Sequence, residues 1–165
     1  MKRIALFLVV LVVVLYGSWP YYTIYRLDSA LGAEDVQAIA PFVDLSTIRA
    51  GYREQAGAAL KDMMPDSSRG GESEPLVEWL AESLRPLGEA ALERTVTLDW
   101  VRYTLRDAAQ RATDERPAYF IASIDHAFFQ SWNRFGIRLG STEVVMQLQG
   151  LNWRVTALEE RAQDR

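Results

Sequence analysis

At 165 residues, 49% of them hydrophobic and 24% charged, the chain has the length and composition of one globular domain rather than a disordered segment. With no cysteine and one histidine, disulfides, thiolate metal sites, a cysteine nucleophile, a lipidated N-terminal cysteine and multi-histidine metal sites are excluded. Lys2 and Arg3 are the only charges before Arg26, and from Arg26 to Arg165 there are 16 basic and 22 acidic residues, a net charge of −6. Nucleic acid and anionic lipid need clustered positive charge, so neither is an expected partner of that acidic part.

No charge occurs between Ile4 and Tyr25, and Ile4–Tyr16 is apolar apart from the tyrosine hydroxyl. A helix of 22 residues reaches about 33 Å, enough for a hydrocarbon core of about 30 Å. Tyr16, Trp19, Tyr21, Tyr22 and Tyr25 crowd its far end, where amphipathic rings suit the headgroup layer. Pro20 stands near that exit, where a helix break costs little. The spacing predicts an anchor over residues 1–25, followed by one domain over 26–165. By the positive-inside rule Lys2 and Arg3 stay cytoplasmic, and the remainder lies outside. The competing reading is a cleaved secretory signal, but cleavage after Ser18 or Gly17 puts Tyr16 or Leu15 where a small residue is wanted. The segment has neither an intramembrane charge nor a Gly-xxx-Gly pair, so tethering is its expected role.

Ile24, Leu27, Ala30 and Leu31 continue a helical spacing up to Gly32, a plausible C-cap. Asp35 is placed to cap a short helix over Val36–Ala40, closed by Pro41. Asp44 is placed to cap a longer one, with Leu45, Ile48, Tyr52, Ala56, Ala59, Leu60 and Met63 on one face. Pro65–Pro75 reads as a loop inside the domain, rich in Pro, Gly, Asp and Ser. A helix is expected to resume near Leu76, with a kink or break near Arg85 ahead of Pro86. Thr97 or Asp99 then opens a helix with Leu98, Val101, Leu105, Ala108 and Ala112 on one stripe, ended by Asp114–Pro117.

After Pro117 the apolar period becomes two. Phe129, Phe135, Ile137 and Leu139 share one parity, with Gln130, Trp132, Arg134 and Arg138 on the other. Val144, Met146 and Leu148 follow, then Leu151, Trp153, Val155 and Ala157. Gly140-Ser141 and Gln149-Gly150 fit tight turns between these runs. The fold class is therefore α+β: an N-terminal transmembrane helix, then several amphipathic helices packed on a C-terminal antiparallel β-meander.

A series of short motifs completes this reading. Trp19-Pro20-Tyr21-Tyr22 leads to Tyr25-Arg26-Leu27, Ala30-Leu31 and Asp35; Phe42-Val43-Asp44 precedes Ile48-Arg49. Arg94-Thr95-Val96-Thr97 opens a helix, Asn133-Arg134-Phe135 lies in the first meander strand, and Gly150-Leu151-Asn152-Trp153-Arg154-Val155 closes the chain's ordered pattern. In this order, from the anchor to the last strand, the chain resembles the bacterial family catalogued as domain of unknown function 2939. Typical members carry proline where this chain has Leu98. The resemblance implies this architecture and a Gram-negative envelope address, with the domain periplasmic and the anchor in the inner membrane. It implies no catalytic residues and no cofactor.

Four features are candidates for chemistry. Asp125-His126 with Ser123 and Ser131 contains the elements of a serine hydrolase, yet the nucleophile elbow is absent and adjacent strand residues point to opposite faces. Glu74, Glu78, Glu82, Glu89 and Glu93 recur at helical spacing with Arg85 among them, the pattern of a solvated, ion-paired face rather than a calcium loop. Phe129, Phe135 and Trp153 belong to an aromatic-rich end that either fills the core or lines a small-molecule cavity. Trp132, off the core parity and beside Arg134, is a candidate anchor for a partner protein or for the membrane interface. No phosphate-binding loop, dinucleotide fingerprint, zinc-protease helix or calcium loop is present. The expectation is a membrane-anchored, non-enzymatic domain that binds an envelope protein partner or maintains an assembly, without metal or cofactor. The alternative is a small-ligand-binding domain with an aromatic-lined cavity between helices and sheet.

Overall fold

The computed structural model describes residues 2–63, 88–113 and 119–160. The expected loop at Pro65–Pro75, the helix from Leu76, its kink near Arg85 and the stop at Asp114–Pro117 lie outside these residues.

Helix α1 runs unbroken over Lys2–Gly32. Its first half is exposed along Ile4–Leu15, while Pro20, Thr23, Ile24, Leu27 and Leu31 are buried. The apolar segment and the first helix of the folded part are thus one rod. Pro20 does not end it: a proline removes one amide donor, but the turns beyond it are held by core packing. The helix is long and apolar enough to cross a membrane.

Carbonyls at its C-terminus and just beyond it are met by cations from far along the chain. Arg106 Nη2 donates to the Leu31 carbonyl, and Arg102 donates to the Ala33 and Glu34 carbonyls. Cations at a helix C-terminus satisfy orphan acceptors and oppose the helix dipole. Burial and the neighbouring Arg102 hold the Arg106 pKa below its usual value.

A 3₁₀ helix over Val36–Phe42 follows, with Asp35 accepting from the Gln37 amide at 2.9 Å as its N-cap. Helix α2, Leu45–Met63, is capped by Asp44, which accepts from the Thr47 amide at 3.1 Å. Residues 88–95 are helical (α3). Arg49 reaches from α2 to the end of α3, its Nη2 donating to the Val96 carbonyl at 2.8 Å and to Glu93 at 3.2 Å. Helix α4, Leu98–Ala112, has Thr97 as N-cap, accepting from the Trp100 amide, and buries Val101, Leu105, Ala108 and Ala109. A second 3₁₀ turn, Phe120–Ser123, leads into the sheet.

The sheet has four antiparallel strands in order β1-β2-β3-β4: His126–Ser131, Arg134–Leu139, Thr142–Gln149 and Asn152–Glu160. The sequence places one long run where β1 and β2 stand, because the hairpin Trp132-Asn133 carries no glycine. The β2–β3 turn is Gly140-Ser141, as expected. The β3–β4 turn is Gly150-Leu151, one residue later than the sequence suggests. Gly140 and Gly150 take φ of 57° and 62°, the left-handed region that an L side chain resists. A bulge at Val145/Met146 changes the inward parity of β4 after Val155, so Leu158 rather than Ala157 is buried.

Phe135, Ile137, Leu139, Val144, Met146, Trp153, Val155 and Leu158 form the sheet's half of the core. Ile24, Leu27, Leu31, Ile39, Ile48, Val101 and Leu105 form the helical half. Beyond β4, Val43 forms an isolated bridge to Val155 and the Asp44 amide donates to the Val155 carbonyl at 2.9 Å. On the other edge, α1 lies beside β1.

Candidate functional site

The segment from Ile121 to Trp132 descends along α1, and three contacts fix its direction. The Ile121 amide donates to Asp28 at 3.4 Å, the Tyr21 hydroxyl donates to the Ala127 carbonyl at 3.2 Å, and the Tyr16 hydroxyl donates to the Trp132 carbonyl. Later residues of this segment meet earlier residues of α1, so β1 points toward the exposed apolar half of the helix. Tyr21 satisfies a carbonyl of β1, the edge strand of the described sheet, and Tyr16 a carbonyl of the turn that follows it.

The same seam holds the aromatic residues marked by the sequence. Tyr16 stacks on Phe129 with ring centroids 6.1 Å apart, and Tyr21 meets Phe135 edge-on at 5.2 Å. Phe129 touches Phe135 at 5.0 Å and Trp153 at 6.0 Å. Phe135 and Trp153 are buried, whereas Phe129 stays 38% exposed beside Tyr16. The structure therefore brings all three residues together, packed ring to ring and against α1. Edge-on geometry aligns ring edges with ring faces, the favoured arrangement for such clusters.

Trp132 is 75% exposed at the tip of the β1–β2 hairpin, not on a strand face as its parity suggests. Leu151, 73% exposed, stands at the tip of the β3–β4 hairpin. In a four-stranded meander these two tips share one end of the sheet, and the Leu148 amide donates to the Asn133 carbonyl between them at 3.0 Å. Sequence reasoning singles out Trp132 but not Leu151, which it assigns to a strand. On α1, Trp19, Tyr22 and Tyr25 lie exposed at steps of three.

The hydrolase-like group is engaged elsewhere. Asp125 accepts from the Gly140 amide at 2.7 Å, and Ser123 donates to the Phe120 carbonyl at 2.6 Å. His126 is an exposed residue at the start of β1. Of the glutamates, Glu89 pairs with Arg53 at 3.5 Å; Glu74, Glu78 and Glu82 lie outside the described residues. Among the described residues no three acidic or histidine side chains converge as a metal site would require.

A separate open cleft of about 460 Å³ lies between the end of α1, α4 and the 3₁₀ turn, lined by Asp28, Arg106, Gln110 and Tyr119 among others. Sequence reasoning missed it, because its polar groups come from three separated segments with no common spacing. Asp28 and Arg106 are already bound to the Ile121 amide and the Leu31 carbonyl.

No curated protein matches the chain, and no solved structure does. Residues 9–104 match the family described as "Protein of unknown function (DUF2939)". That span covers α1 from Val9 onward, the 3₁₀ turn, α2, α3 and the first half of α4, and stops short of the sheet. More than half of the chain lies within it, and the protein belongs to this family.

Proposed function

We propose that the protein is a membrane-anchored envelope domain, acting as a non-enzymatic protein-interaction or assembly module. In this reading α1 is an uncleaved anchor in the inner membrane of a Gram-negative cell, with Lys2 and Arg3 cytoplasmic and the folded part periplasmic. One observation carries it: α1 passes from an exposed apolar half into the domain core without a break. A cleavable signal has no reason to be continuous with core packing, and Tyr16 lies before any reasonable cleavage position while bonding to Trp132. An anchor fused to the core holds the domain at a set orientation, which suits presenting one face to a partner. Tyr103 and Tyr119, 70% and 78% exposed, are candidate contacts on the part distant from the hairpin tips.

The test is site-specific photo-crosslinking in living cells with the cross-linker at Tyr103 or at Tyr119. The reading expects a discrete, reproducible adduct from at least one position. Absence of any adduct from both positions, with the protein expressed and folded, would sink it.

The cleft beside Arg106 supports a second reading, a small-ligand-binding domain. Native mass spectrometry of the full chain, released gently from its own membrane, separates the two. A retained small-molecule mass lost on Arg106→Ala favours ligand binding, and a bare mass favours partner binding.

A further inference from the structure

We infer that the two hairpin tips bearing Trp132 and Leu151 form a second membrane contact, seated below the headgroup layer in the outer leaflet of the same bilayer that α1 crosses. The inference rests on the reading of α1 as a membrane span. It begins from a mismatch of lengths. The freely exposed apolar part of α1, Ile4–Leu15, contains 12 residues. At 1.5 Å per residue that is about 18 Å, well short of a hydrocarbon core of about 30 Å. With Lys2 and Arg3 holding the inner end, about 20 residues from Ile4 are needed, which carries the span to the neighbourhood of Thr23. Tyr16 then lies about 10 Å inside the outer boundary.

The hairpin tip is fixed at that level. The Tyr16 hydroxyl bonds to the Trp132 carbonyl, and the Tyr16 ring stacks on Phe129. The sheet end cannot stay clear of the bilayer while the helix spans it in full. Local thinning of the bilayer and tilting of the helix reduce the mismatch but do not remove it.

The tips are built for such a place. Each presents one large apolar side chain, Trp132 and Leu151, about three-quarters exposed. Three of the polar groups at the first tip have partners within the protein. The Trp132 carbonyl accepts from Tyr16, the Asn133 carbonyl accepts from the Leu148 amide, and the Asn133 side chain accepts from the Ser131 hydroxyl at 2.9 Å. Backbone that enters a poorly hydrated layer must be satisfied internally. The exposed rings of Trp19, Tyr22 and Tyr25 lie on α1 about 4 to 14 Å beyond Tyr16, so they straddle the headgroup boundary above the tips. Because the folded part is acidic overall, the attraction is apolar and interfacial, not a response to anionic lipid.

The chain has no native cysteine, so nitroxide labels at single introduced cysteines report depth without interference. The full chain is reconstituted in phosphatidylcholine bilayers, with labels in turn at Val10→Cys, Trp132→Cys, Leu151→Cys and Ser141→Cys. Collision with oxygen is compared with collision with a water-soluble nickel chelate. The inference expects Val10 to favour oxygen strongly and positions 132 and 151 to favour it over the chelate. Position 141, in the turn at the opposite end of the sheet, is expected to favour the chelate. If Val10 is lipid-exposed while 132 and 151 collide with the chelate as freely as 141, the second contact is overturned and the anchor stands. If Val10 also meets the chelate freely, both fail. Labels at 132 and 151 sit on exposed tips, and retention of the native circular dichroism spectrum confirms that each variant is folded.

Discussion

The Tyr16 hydroxyl donates to the backbone carbonyl of Trp132, 116 residues away. This contact joins the apolar segment at one end of the chain to the sheet at the other. With Tyr21 bonded to Ala127 and Asp28 to Ile121, it makes α1 a spine along which the first strand is laid. One helix thus carries both the exposed apolar segment and part of the core, and the folded part is joined to that segment without a linker.

The ring cluster at the foot of the sheet contributes large buried side chains to the core. Trp153 is 1% exposed and packs on Phe129 and Phe135. Trp153→Ala removes the largest fully buried side chain among the described residues and leaves a cavity, so a loss of about 3–5 kcal/mol is expected. Urea unfolding of the detergent-solubilised full chain, followed by circular dichroism, measures it.

Asp44 is expected to make stability depend on acid pH. Its partial burial pushes its pKa up, but hydrogen bonds from Ser46, Gln149 and Thr47 outweigh that and hold the carboxyl well below the usual carboxylate range. A carboxyl with a lowered folded-state pKa contributes stability above its unfolded value, about 3.9, and that contribution fades as pH falls below it. Asp44→Ala is therefore expected to cost about 1–2 kcal/mol at pH 7 through the lost helix cap. The gap between variant and parent narrows at pH 3, as paired urea titrations at the two pH values would record.

Two glycine substitutions are expected to have opposite signs. Gly150 has φ of 62° and open space around an added Cβ, so Gly150→Ala meets only backbone strain, about 1–2 kcal/mol destabilising. Gly51 lies inside α2 with no atom near an added Cβ, so Gly51→Ala is stabilising by about 0.8–1 kcal/mol. Thermal unfolding of the two variants beside the parent gives both signs in one experiment.

Arg49→Met keeps the aliphatic stem but removes the hydrogen bonds to the Val96 and Glu93 carbonyls. A charged donor lost from partly buried acceptors costs about 1.5–3 kcal/mol. The effect is expected in global stability, measured by urea unfolding, with membrane association unchanged in a flotation assay.

How far the sequence foretells this fold depends on whether the signal is local. The caps at Asp35, Asp44 and Thr97 are legible because a side chain serves amides two or three residues ahead. The β2–β3 turn is legible because a two-residue loop reverses the inward parity, from Ile137 and Leu139 to Val144 and Met146. The β1–β2 turn is hidden because a bulge between Phe129 and Ser131 restores the parity that the loop reverses. Phe129 and Phe135 face one another across the hairpin, yet read as members of one strand. The arginine contacts to the end of α1 are also illegible: Arg102 and Arg106 act on carbonyls 68 to 75 residues away, and no local pattern announces them. At the candidate site, the exposure of Trp132 is legible, whereas its pairing with Leu151 needs the strand order.

The most direct test of the central claim is thiol accessibility on intact cells, using the cysteine-free background. Lys2→Cys and Tyr103→Cys are placed at the two ends of the proposed topology, and each is exposed to a membrane-impermeant maleimide. The account predicts labelling of Tyr103→Cys on intact cells and of Lys2→Cys only after permeabilisation, both on protein of unprocessed mass. Protection of Tyr103→Cys on intact cells, or labelling only of a shortened species that lacks the apolar segment, would contradict it.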